Sequence, residues 1–157
     1  MAQIILLVHP LTYPILVHLH SGFRWILLIT LVLAIIQTAG KLSGNHSFTD
    51  KDKKMPLFAF ISCHIQLLVG LILYFISPKV VFSAESMKNA MSRFFLVEHT
   101  SMMILAIIII SVGYIMAKKV APEKKAFSRI FWAYLVGLIL ILASIPWPFM
   151  GYGTSWF

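Results

Sequence analysis

Residues 94–116 read FFLVEHTSMMILAIIIISVGYIM, and Glu98 is the one Asp, Glu, Lys or Arg in the run. A helix rises 1.5 Å per residue, and about 20 apolar residues cross a hydrocarbon core, so this stretch is predicted to span a membrane. It ends in Lys118 and Lys119. Three more runs of this kind lie outward from it, at 15–39, 56–76 and 127–147. The first is interrupted only by His18, His20 and Arg24. The second opens with Pro56, a residue favoured at a first helical position, and closes before Ser77-Pro78. The fourth meets Pro146-Trp147-Pro148, where two prolines stop a helix. None of the runs alternates with period two, and each is about twice the length of a barrel strand. The expectation is an all-α integral membrane protein, an antiparallel bundle of four transmembrane helices forming a single domain over residues 1–157.

Composition demands the same solvent. The chain is 60% hydrophobic and 11% charged, whereas soluble domains carry about 25% charged residues. The formal net charge of +8 would suit a nucleic-acid binder if it were clustered on a soluble surface. Instead the basic residues sit between the apolar runs, where they orient a membrane protein and meet anionic headgroups. Lys41, Lys51, Lys53 and Lys54 follow the first run, and Lys118, Lys119, Lys124, Lys125 and Arg129 follow the third. Only Lys79, Lys88 and Arg93 lie in the loop on the other side. The positive-inside rule then predicts both termini outside, periplasmic if the membrane is a bacterial inner membrane. Ile4–Val8 resembles a signal-peptide core but lacks a basic lead, and His9, Pro10 and Pro14 interrupt it, so it is read as an interfacial lead-in. Trp147–Phe157 reads as an aromatic interfacial belt. The lone Cys63 excludes an internal disulfide and any Cys-x-x-Cys site.

Polar groups inside spans are costly, and by default they mark function. Here they are His18, His20, Arg24, His64, Gln66, Glu98 and His99. With the first helix centred near residue 27 and the third near 105, His20 and His99 both lie roughly 9–10 Å from the midplane on the same side. In an up-down-up-down bundle these two helices are diagonal neighbours. Two opposed imidazoles at one level are what a haem iron within a bundle requires. Ser21, Gly22, Thr100 and Ser101 sit at that depth and would leave room for a ring. Arg24 and Arg93 are candidates for the propionates. The same histidines would equally serve as interhelical hydrogen-bonding groups. His18, two residues from His20, points away from it. His64 falls near the midplane, where it either bonds a neighbouring side chain or joins His20 and His99 in a three-histidine metal site. Glu98 and Arg24 are candidates for a buried ion pair. His9 and His46 read as surface residues, Met102 and Met103 as core filler. The echo of His20-Ser21 in His99-Thr100 hints at a duplicated hairpin.

The segments HSGFRW (20–25), HIQLLVGLILYFISP (64–78), RFFLVEHTSMM (93–103) and SIPWPF (144–149) resemble short bacterial membrane proteins of the Bacteroidetes that are labelled cytochrome b. The matching stretches touch all four runs. The resemblance implies that His20, His64, Glu98 and His99 are the polar landmarks of the family.

These readings converge on a membrane haem-b protein that passes electrons in a respiratory chain, with His20 and His99 as axial ligands and quinone or another membrane subunit as partner. No nucleophile–base pair suggests independent catalysis. The alternative is a cofactor-free accessory subunit of a larger inner-membrane complex, and a copper or zinc site on His20, His64 and His99 is a third.

Overall fold

The computed structural model describes residues 12–156. Ile4–Val8, Pro10 and His9 lie outside the described residues. Four long helices follow one another: α1 (Thr12–Ala39), α2 (Asp50–Ile76), α3 (Ala90–Val120) and α4 (Lys125–Ser144). All four are long and apolar enough to cross a membrane. The described residues contain no strand, and the chain is a multi-pass helical bundle.

The packing suits lipid rather than water. Ala34, Ala59, Ala106, Ala117 and Ala126 are fully buried, whereas Ile36, Phe58, Leu68, Phe75 and Ile139 face outward. Small residues inside and large apolar residues outside are the arrangement expected where lipid, not water, surrounds the bundle. The extensive seams are α3 with α4 and α1 with α2, followed by α1 with α4, so α1 and α3 stand on a diagonal. At the α3–α4 seam a Cβ on Gly113 would stand 2.1 Å from Ala133 Cβ, and one on Gly137 would stand 2.5 Å from Ile110 Cγ1. These two glycines let the backbones approach closely.

Several helix ends differ from the sequence reading, and three of them have a clear local cause. α2 begins at Asp50, not at Pro56. Thr49 donates to Asp52 Oδ2 through its N–H at 2.9 Å and its hydroxyl at 2.6 Å. Asp50 and Asp52 also favour the positive end of the helix dipole. Pro56 therefore lies inside the helix. It cannot donate to the Asp52 carbonyl, and the Gln37 amide donates to that oxygen instead at 3.4 Å. Tyr134 donates to the Pro56 carbonyl at 2.8 Å. α4 stops at Ser144 rather than 147, because Ile145 precedes a proline and is already extended, with φ −68° and ψ 130°. α3 starts at Ala90, four residues before the apolar run, with the Asn89 side chain accepting from Ser92 N–H.

Candidate cofactor site

α3 is not regular throughout. Residues Phe94–Glu98 form a π-helical turn, in which the His99 N–H bonds the Phe94 carbonyl five residues back. Such turns widen a helix and free carbonyls for other donors, and they recur at functional sites. Here Tyr74 of α2 donates to the Leu96 carbonyl at 3.1 Å, and the Thr100 hydroxyl donates to Phe95 at 3.2 Å. The turn immediately precedes His99 and sets its bearing into the bundle.

His99 and His20 line one cavity of about 170 Å³ at the end of the bundle opposite the lysine-rich loops. Their ring centroids are 6.5 Å apart and the ring planes lie at 73°. His99 Nδ1 donates to the carbonyl of Ser144 at 2.7 Å. That carbonyl belongs to the last residue of α4, where helix acceptors are left over. A neutral His99 thereby keeps its lone pair on Nε2. Gln66 of α2 donates to the His20 carbonyl at 2.8 Å. Opposite it, a Cβ on Gly70 would stand 3.1 Å from His20 Cε1, so the absence of a side chain there accommodates the His20 ring. Apolar walls come from Leu27, Leu67, Met103, Ile107 and Ile141.

Among the described residues, three buried side-chain polar atoms have no hydrogen-bond partner: His20 Nδ1, Arg24 Nε and Gln66 Oε1. All three residues line this cavity. Buried polar groups are normally satisfied, so these three atoms leave hydrogen-bonding capacity open toward one cavity.

The mouth is cationic and strapped by the tail. Arg24 is buried and donates to the Trp156 carbonyl at 2.9 Å, which also accepts from Trp25 Nε1 at 3.0 Å. Lys79 donates to the carbonyls of Tyr152 and Gly153, both at 2.8 Å. Burial pulls the Lys79 ammonium below its ordinary pKa. The Thr154 hydroxyl donates to Pro146 at 2.7 Å, and Thr154 joins the cavity lining. The tail that reads as an interfacial belt thus also closes the site.

Several expected residues fall elsewhere. Arg24 does not pair with Glu98. Glu98 accepts from Arg93 Nε at 2.7 Å, and both side chains are more than 40% exposed. Starting α3 at Ala90 puts Arg93 on the same helix, a short reach from Glu98, while Arg24 turns to the tail. Arg93 is consequently no cavity residue. His64 stands apart from His20 and His99, with Nδ1 bonded to the Phe60 carbonyl at 2.8 Å and its ring 4.2 Å from that of Phe60. Among the described residues no three His, Cys, Asp or Glu side chains gather as a metal cage, so the three-histidine centre is not assembled. Ser21 and Thr100 line the cavity but Gly22 and Ser101 do not, and Gly70 supplies the small side chain instead. His18 and His46 are exposed, and Met103 is partly buried as filler.

No family model, curated protein or solved structure matches the chain.

A metal held between two imidazoles sets a distance requirement on their rings. Taking an imidazole–metal bond of about 2.1 Å and about 1.1 Å from nitrogen to ring centre, two imidazoles opposed across one metal have centroids about 6.4 Å apart. The observed separation is 6.5 Å. Cations at the rim and apolar walls suit a flat ligand with an acidic edge. The cavity, at about 170 Å³, is smaller than the roughly 300–1,000 Å³ of common ligand pockets. A porphyrin therefore requires the strap and the lining side chains to move apart.

Proposed function

We propose that this is a haem-b electron-transfer protein of a bacterial inner membrane, with His20 and His99 as the residues that hold the iron. The observation that carries the reading is the 6.5 Å separation of two imidazoles presented from diagonal helices into one cavity. A bound haem would supply a one-electron couple at the level of the histidines. The chain's own residues do the rest. Ser144 fixes the His99 ring through Nδ1, which keeps the ligand nitrogen free and raises its basicity. Gln66, bonded to the His20 backbone, holds α1 and α2 in register beside the second ring. Arg24 and Lys79 balance negative charge at the rim, and the tail strap keeps bulk water from the rings. Electron partners in this reading are quinone or a neighbouring respiratory subunit, reached through the bilayer. The excess of basic residues at the α1–α2 and α3–α4 connections and the helix ends beside them favours an orientation with that end cytoplasmic and the cavity on the periplasmic side.

Reduced-minus-oxidised absorbance spectra of the purified protein, loaded with haem, test the assignment. Sharp visible bands of a six-coordinate b-type haem are expected. His20→Ala and His99→Ala should each abolish or convert them, whereas His64→Ala should retain them. Absence of the bands from a haem-loaded preparation would reject the reading in favour of a cofactor-free accessory subunit.

A further inference from the structure

The acidic side chains of this protein are all engaged away from the cavity. The sequence has five Asp and Glu residues. Asp52 pairs with Lys41, Asp50 with Lys53, Glu85 with Lys88, Glu98 with Arg93 and Glu123 with Lys125. No side-chain carboxylate is left for Arg24 or Lys79. Yet Arg24 is only 7% exposed and its Nε has no hydrogen-bond partner; beside the cavity it is met by the Trp156 carbonyl and by the faces of Trp25 and Trp147, 5.6 and 5.8 Å from the ring centroids. Lys79 lines the same void and is satisfied by backbone carbonyls and the face of Phe95, 5.2 Å from the ring centroid. Removing a cation from water is expensive unless an anion or strong hydrogen bonds replace the water. A carbonyl dipole does this less well than a carboxylate, whose hydrogen bonds to a guanidinium or ammonium are roughly twice as strong.

We propose that the mouth of the cavity is a carboxylate site, in which Arg24 and Lys79 bind the acidic groups of an otherwise apolar ligand. The carbonyls of Tyr152, Gly153 and Trp156 hold the cations while the site is free of ligand, and the strap 151–156 withdraws when a carboxylate arrives. Gly151 and Gly153 have φ of 74° and 61°, a conformation easy for glycine, so the strap turns there without strain at side-chain-bearing residues. The proposal rests on the cofactor reading for its cavity but needs no iron.

Iron-free protoporphyrin, a dicarboxylate, and its dimethyl ester separate the two. Binding of each to the full-length protein in detergent micelles is followed by quenching of tryptophan fluorescence and corrected for empty micelles. The acid should bind at least about tenfold tighter than the ester, as expected for a lost charge-assisted hydrogen bond. Arg24→Gln and Lys79→Gln should each weaken the acid by about that factor and leave the ester unchanged. Equal affinity for acid and ester in the wild-type protein overturns the proposal, as does equal loss of both ligands in the variants. Palmitate as competitor distinguishes the source of the carboxylate: displacement of the acid at comparable affinity supports the site and makes its occupant a fatty acid. An acid preference in a protein that shows no haem bands sustains the carboxylate site while the haem reading falls. Haem bands with no acid preference do the reverse.

Discussion

Gly113→Ala is the sharpest probe of how the bundle is held at the level beneath the site. The added methyl would stand 2.1 Å from Ala133 Cβ, 3.2 Å from the Arg129 carbonyl and 3.7 Å from Ala133 Cα. Carbon atoms rest at about 3.5–4.0 Å, so the clash with Ala133 is roughly 1.5 Å deep. Ala133 has no rotamer by which to yield, so the strain passes to the backbones, and α3 and α4 must separate. Overpacking costs about 1–3 kcal/mol, and a rigid backbone clash belongs at the upper end. Replacing glycine by alanine in a helix returns about 1 kcal/mol of propensity. The net expectation is a loss of about 2 kcal/mol, read as a lower midpoint in reversible denaturation of the protein in mixed micelles. The same separation should disturb the bond from His99 to Ser144, because those residues lie on the two helices that part. Moving the methyl across the seam, with Gly113→Ala and Ala133→Gly together, should restore most of the stability, since the propensity terms then cancel. A single variant as stable as the wild type, or a double variant no better than the single, would refute the close approach of α3 and α4.

The revised charge partners and the orientation are tested as directly. Glu98→Gln should change stability by less than about 1 kcal/mol, because its pair with Arg93 is half-exposed. Arg24→Gln and Glu98→Gln should be additive in a double variant, and a coupling energy near that of a buried pair would reinstate the Arg24–Glu98 contact. For orientation, single cysteines placed at Lys53 and Lys124, with Cys63→Ala, should resist a membrane-impermeant thiol reagent added outside intact cells and react after lysis. Labelling in intact cells would invert the assigned topology.

Lipid-facing surface was legible in composition, because a chain with so few charges has nowhere else to place its apolar residues. The number of spans followed from run length, and the depth of His20 and His99 followed from helical rise, so their meeting at one level was foreseeable. Other parts of the site were not. Helix ends escaped the apolar pattern because caps such as Thr49 with Asp52 are polar and lie outside the runs. The partner of Arg24 escaped because residues at similar depth are compatible with many contacts, and only packing chooses among them. Lys79 looked like a loop charge until the tail folded over it, and Gly70 was one small residue among several.

What the sequence by itself determined is the solvent, the number of spans, their alternating direction and the level of the two histidines. These depend on local properties: hydropathy, length and rise per residue. Only the tertiary structure decided which side chains meet. The Ser144 carbonyl that accepts the hydrogen bond from His99, the Tyr74 hydroxyl that bonds the π turn before it, and the strap across Arg24 and Lys79 all join residues far apart in the chain. Their contacts depend on helix rotation and close approach, which hydropathy leaves open because lipid accepts almost any apolar face.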